Sequence, residues 1–394
     1  MHAAADTSLP RPDAEPSRVS GTTLLAWRNL AHDRSRFVVT LVGVVFAVLL
    51  MGVELGLLVG FARTTSGLVD HTDAELWITP AGTSNVDIAG RLDLRRRYEA
   101  LAVPGVARVD ELMMQFAFWL KPDGGNESVS MVGFNPASGQ GAPWDLVEGS
   151  VADLAQDDAV IIDQLYAHKL GVQFLGQTVE INSHRARVVG FTRGIRTFTQ
   201  SPYVFTTHHN AQKFTFFNEQ QTTYLLVRLL PGADPLTVRA ALQARLGRVD
   251  VWPAAEFAAQ AQRYWLITTG AGSALLLAAL LGLIVGIVIV GQTLYATTVD
   301  RLPEYSTLRA MGAPNRYLYT VILKQSAISA AFGYVGGMIG VLAVVALSSG
   351  SNVAVAMPGW LAMLLALLTV LMCALGALVS IRRIVRIDPT SVFA

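Results

Sequence analysis

Residues 264–299 and 325–381 contain no charged side chain, and no other feature of the sequence narrows the fold as far. About 20 consecutive apolar residues carry a helix across the hydrocarbon core of a bilayer, whereas an ordinary soluble domain places charge at roughly 25% of its positions. In this 394-residue chain 15% of residues are charged and 52% are hydrophobic. The second tract is too long for one helix and breaks at residues 348–352 and again at Pro358-Gly359. It reads as a hairpin of two spans, 320–348 and 359–381, and the first tract supplies a span at 264–291. Residues 37–62 supply another, with Glu54 as their only charge. That stretch exceeds the roughly 7–15 apolar residues of a signal-peptide core and follows a long polar or mixed segment, so it reads as a retained helix.

Basic residues orient the spans, because Arg and Lys accumulate in short cytoplasmic flanks. Arg28, Arg34 and Arg36 precede the first span, Arg301, Arg309, Arg316 and Lys324 separate the second from the third, and Arg382, Arg383 and Arg386 follow the fourth. Those flanks are inside. The uncharged loop 349–358 and the long segment 63–263 are then outside, since large domains translocate regardless of their own charge. The expected fold class is a membrane protein with four transmembrane helices per protomer and a large α+β extracytoplasmic domain between helices 1 and 2.

Within 63–263, residues 75–79, 129–134, 178–181 and 224–229 read as strands bounded by Gly, Pro and Asn. Residues 235–246 read as a helix opening at Pro235, and 171–191 as a compact β unit insertable into a larger core. Before the first span, residues 22–36 intersperse Leu24, Leu25, Trp27, Leu30 and Ala31 with Arg28, His32, Arg34 and Arg36, the pattern of an amphipathic helix on the inner membrane surface. Residues 1–21, rich in Pro, Ala, Ser and Asp, read as disordered. Residues 292–319 form a cytoplasmic loop and 382–394 a cytoplasmic tail.

Several chemistries are excluded by what is missing. A phosphate-binding P-loop needs a lysine after glycine, and none of the four lysines, Lys121, Lys169, Lys213 and Lys324, follows one. No His-Glu-x-x-His or Gly-x-Ser-x-Gly run occurs, so the commonest protease and hydrolase signatures are absent. The chain is not expected to be an enzyme, nor to hold a cofactor or metal. His208-His209 lacks an acidic or Cys partner at ligand spacing. A net charge of +1 offers no footprint for nucleic acid, and Cys373 is the only cysteine.

The cytoplasmic segment between the second and third spans carries the most information. A short helix from about Pro303 to Met311 would begin at proline with Glu304 in its first turn and stop at Gly312. It would set Tyr305, Leu308, Met311 and Gly312 on one side and leave Glu304 and Arg309 for a partner's charges. The alternative is a plain basic loop. The motif Glu304-x-x-Thr307-Leu308-Arg309-Ala310-Met311-Gly312-Ala313 resembles the coupling helix of the MacB, LolC and FtsX superfamily of ABC transporter permeases. Leu25-Ala-Trp27-Arg28-Asn29-Leu30, Gly171-Val-x-x-x-Gly176-x-Thr-Val179 and Arg386-Ile-Asp388-Pro389 are similar to that family as well. Chain length and Ala74-Glu75-Leu76-Trp77-Ile78 look most like its DevC branch, whereas Gln325 stands where these permeases often have Glu.

The resemblance implies a homodimeric permease in the bacterial inner membrane, driven by a separate ABC ATPase that binds ATP and Mg. It would move its periplasmic domains by mechanotransmission, with a periplasmic adaptor and an outer-membrane channel completing a tripartite efflux path. The substrate the resemblance implies is amphiphilic or hydrophobic. The alternative is an FtsX-like signal transmitter acting on a cell-wall hydrolase. Two features of the first span bear on this. Gly52, Gly56 and Gly60 repeat at four-residue spacing, a close-packing face assigned to the dimer contact, with packing against the second span as the alternative. Glu54, the only carboxylate in any span, is a site candidate by default, with reaching the headgroups or bonding a neighbouring helix as the alternative. Met51 shares its helical face three residues away. The pair is expected to line a cavity for a lipid, a hydrophobic drug or, by similarity to the heme exporter HrtB, a porphyrin.

Overall fold

The computed structural model describes residues 34–311, 314–348 and 350–384. The disordered tail and amphipathic helix expected before residue 34, Gly312, and the tail from residue 385 lie outside these. Among the described residues four helices are long and apolar enough to cross a membrane: Arg34–Asp70, Ala271–Asp300, Tyr319–Ser348 within a longer helix Asn315–Ser348, and Gly359–Leu378 within Gly359–Ile384. The chain divides into two compact units. One holds the chain up to Gly52, Ala278–Leu342 and the chain from Pro358, and the other holds Val53–Leu277 and Ala343–Met357.

In the membrane unit, glycines set how closely the spans approach. A Cβ on Gly337 would lie 2.5 Å from Val48 Cγ1, one on Gly336 2.9 Å from Val45 Cγ2, and one on Gly376 2.9 Å from Val290 Cγ1. With lipid as apolar as any side chain, such close van der Waals packing holds helices together in a bilayer. Val44, Ala47, Val48, Met51, Leu365 and Met372 form the buried centre. At the cytoplasmic end Arg36 is ion-paired to Asp300.

This packing corrects the glycine-row assignment. A Cβ at Gly52 would fall 2.5 Å from Val341 and 3.0 Å from Leu365, both in the same membrane unit. Within the outer unit, Gly56 abuts Val355 and Gly60 the backbone of Ala354. The row is filled by the chain's own segments, which leaves no open face there for a second copy.

The outer unit is built on twelve strands: β1 (Leu76–Pro80), β2 (Leu92–Asp93), β3 (Val106–Leu120), β4 (Asn126–Phe134), β5 (Leu146–Glu148), β6 (Ala159–Asp163), β7 (Thr178–Ile181), β8 (His184–Thr192), β9 (Tyr203–Thr207), β10 (Gln221–Thr222), β11 (Tyr224–Leu229) and β12 (Val249–Pro253). Ten form one mixed sheet ordered β12-β1-β11-β3-β4-β9-β6-β8-β5, with β7 pairing β3 and β8, and β10 and β2 pair separately. Most pairings are antiparallel, and β4 with β9 and β6 with β8 are parallel. The strand expectations fall at β1, β4, β7 and β11, and the long β3 joins them. The compact β unit is the β7–β8 hairpin, turned by Asn182-Ser183 with both φ positive, the geometry of a two-residue hairpin loop. Through β8 it is continuous with the main sheet.

Helix Pro235–Leu246 is capped by Asp234, which accepts from the Thr237 amide at 2.9 Å. It buries Val238, Leu242 and Leu246 against Leu76 and Val227. On the other face Trp77, Tyr224 and Phe257 pack with centroids 5.3–5.9 Å apart, a geometry worth about 1 kcal/mol per pair beyond burial.

Two span boundaries differ from the sequence expectation. The first helix continues eight residues past 62 to Asp70, where Ser66 donates to Asp70 at 2.7 Å and accepts from Gln262 at 3.0 Å. The second span begins at Ala271 rather than 264. Residues Tyr264–Thr268 instead form a π-helical turn, and Gly270, at φ +81°, directly precedes the second span. The charge-free tract starts early because Tyr264–Thr268 is uncharged yet lies before the second span, in the outer unit. Trp265 donates its indole N–H to Asp87 at 2.8 Å and packs on Phe198, which meets Phe61 edge-on.

Candidate functional site

On the cytoplasmic side, one residue separates the second span from a helix at Leu302–Ala310. Arg301 pairs with Glu304 in its first turn at 3.3 Å, an arrangement that also favours the helix N-terminus. Thr307 donates to the Pro303 carbonyl at 2.9 Å, and the Met311 amide to the Thr307 carbonyl at 3.0 Å. Tyr305, Leu308 and Arg309 lie within this helix. Met311, at its end, is 72% exposed, and an exposed methionine is a soft, adaptable contact surface. The expected helix therefore forms, one residue earlier than its proline.

Met51 and Glu54 have different surroundings. Met51 is 1% exposed, in the centre of the membrane unit and against Gly282, so it lines no open cavity. Glu54 is half-buried and belongs to the outer unit. Three-residue spacing put both on one side of the helix, but that side turns inward at Met51.

The cavity that the outer unit contains was not legible in the sequence. It has a volume of about 490 Å³ and is lined by three separate segments: the outer end of the first helix (Gly60, Arg63, Thr64, Gly67, His71), the domain loops bearing Trp144 and Gly194-Ile195-Arg196, and residues Val345, Ser348 and Val353 to Ala356. Its lining holds two arginines and a histidine and no carboxylate. Asp163 fixes the Arg196 loop: fully buried, it accepts from the Leu165 amide at 2.9 Å, the Thr192 hydroxyl at 2.9 Å and the Ile195 amide at 2.8 Å. Arg196 Nε donates to the Ser351 carbonyl at 3.0 Å. His71 donates Nδ1–H to the Gly67 carbonyl at 2.7 Å, which directs Nε2 away from its own helix. The first charge after the apolar run 37–62 is Arg63, and that was the one signal available.

Elsewhere, His208 is buried at the start of helix His208–Thr215. Burial first, then the nearby His209 and Arg97, push its pKa down to about 4. Among the described residues no three His, Cys, Asp or Glu side chains gather as a metal site.

Comparisons with known proteins identify the architecture. A profile of the MacB-like periplasmic core domain matches residues 37–245, more than half the chain, and one of the FtsX-like permease C-terminal region matches 276–389. An uncharacterized ABC transporter permease of Mycobacterium tuberculosis is 24% identical over 376 residues, spanning 93% of this chain and 98% of its own. Another, from Mycobacterium bovis, is 23% identical over 379 residues with the same coverage. Among solved structures, the periplasmic region of MacB from Actinobacillus actinomycetemcomitans shares 13% identity over 46% of this chain and 89% of that one, with a TM-score of 0.35. The extracellular domain of the noncanonic ABC-type transporter YknZ from Gram-positive bacteria shares 16% over 45% and 98%, at 0.34. The assignment rests on the two profiles, which identify the superfamily and not a branch within it. With four apolar helices and a mixed-sheet extracytoplasmic domain between the first two, the chain belongs to the MacB and FtsX superfamily of ABC transporter permeases.

Proposed function

We propose that this permease is the membrane subunit of an exporter that works by mechanotransmission. A separate ATPase binds and hydrolyses ATP with Mg against the helix Leu302–Ala310, and the resulting movement passes to the outer domain, which displaces an amphiphilic substrate. The observation that carries the reading is the first helix. It runs unbroken from Arg34 to Asp70, about 55 Å at 1.5 Å per residue, against about 30 Å of hydrocarbon. One continuous helix thus contributes residues to both the membrane unit and the outer unit. The working assembly in this reading is a dimer in the inner membrane, joined outside by an adaptor and an outer-membrane channel. Its DevC-like character is part of the same proposal.

Affinity purification of the full chain from its native membrane tests it. Recovery of an ABC ATPase together with a periplasmic adaptor is the expected result. Recovery of the ATPase with a cell-wall hydrolase and no adaptor would replace export by signal transmission.

A further inference from the structure

We infer that the cavity at the outer end of the first helix binds the anionic headgroup of a lipid-like molecule. Arg63 and Arg196 give the lining two permanent positive charges, Arg196 also donating Nε to the Ser351 carbonyl, and no Asp or Glu is among the lining residues. Guanidinium groups match phosphate and carboxylate geometry and form the stronger, charge-assisted hydrogen bonds. The arrangement is built in advance: Asp163 holds the Arg196 loop through three hydrogen bonds, so little ordering remains to be done when a ligand enters.

Two observations favour an amphiphile over a free anion. The lining carries apolar side chains, those of Val345, Val353 and Val355 among them. It also gathers the ends of two spans. Arg63 is the first charge after the apolar run of the first span, and Ser348 closes the third. A volume of about 490 Å³ falls within the roughly 300–1,000 Å³ of small-molecule sites. Gly67 borders open space, since a Cβ there would meet nothing within 4 Å, so a larger side chain can be placed at this lining position.

The inference names the ligand chemistry of the exporter proposed above and rests on that reading only for the ligand's fate. Its test needs no ATPase, so its failure is distinct from a failure of the transport reading. The full chain in detergent is loaded in turn with phosphatidylglycerol, phosphatidylcholine and inorganic phosphate, and retention is read by native mass spectrometry. Phosphatidylglycerol is expected to be retained about tenfold better than phosphatidylcholine, the difference that one charge-assisted contact supplies. Arg63→Gln removes one charge, and Gly67→Leu fills the space without touching a charge. Each is expected to abolish the preference at unchanged melting temperature. Equal retention of the two lipids overturns the inference, as does a preference that survives both variants. Displacement of phosphatidylglycerol by an equal concentration of inorganic phosphate overturns the amphiphile in favour of a free-anion site.

Discussion

His71 and Trp144 stack face to face, their ring centroids 3.9 Å apart and their planes 7° from parallel. His71 follows directly on the first helix, and Trp144 also meets Phe205 of β9 edge-on at 5.9 Å. The stack therefore ties the outer end of the helix to the core of the sheet. Trp144→Ala removes an aromatic pair worth about 1 kcal/mol beyond its buried area. Amides of residues 66–71 are expected to exchange hydrogen faster in this variant of the full chain, with the rest of the sheet unaffected. Unchanged protection there would show that the stack does not anchor the helix.

Two buried groups of the outer unit give opposite pH dependences. Burial lifts the Asp87 carboxyl to about 6, partly offset by the Trp265 hydrogen bond. The folded state therefore holds this proton more tightly than the unfolded chain, and its contribution declines as pH rises from about 4 to about 6, by at most about 3 kcal/mol. His208, pushed down to about 4, resists protonation when folded. Its contribution is complete above about 6.5 and is lost as pH falls toward 4. Asp87→Asn is expected to raise the melting temperature at pH 7.5 and to leave a profile that climbs with pH between 4 and 6.5. His208→Gln is expected to leave one that declines. Parallel profiles for wild type and both variants would contradict these assignments.

Gly52 distinguishes packing within the chain from packing between copies. An isoleucine there would collide with Val341 and Leu365, and overpacking of this kind costs about 1–3 kcal/mol. Gly52→Ile is expected to lower the melting temperature of the protein in detergent while the surviving folded fraction keeps the wild-type oligomeric state. A well-folded monomer would restore the row to the dimer contact.

The spans and the cytoplasmic helix were readable because each depends on local pattern: an uninterrupted apolar run in one case, proline and glutamate at the helix start in the other. What escaped depends on neighbours distant in sequence. Tyr264 and Trp265 counted as membrane residues by hydropathy, yet Trp265 is engaged by Asp87. The fifteen residues of β3 carry Asp110 and Glu111 amid apolar side chains, which blurs the period-2 signal, and pairing with β4 and β11 defines the strand. Met51 was placed on the correct helical face, but only Gly282 reveals that this face is closed. The cavity draws Arg63, Trp144 and Arg196 from three segments, and no spacing rule connects them.

Coupling through Leu302–Ala310 is the central claim, and distance measurement between two copies tests it most directly. Phe174 is 61% exposed on the outer unit, and Phe174→Cys accepts a spin label in a chain whose only other thiol, Cys373, is buried. In the reconstituted complex with its ATPase, trapping the nucleotide with vanadate is expected to shift the label-to-label distance. Leu308→Asp or Met311→Asp is expected to abolish the shift while ATP hydrolysis persists. A shift that survives both substitutions, or none in the unmodified complex, would contradict coupling through this helix.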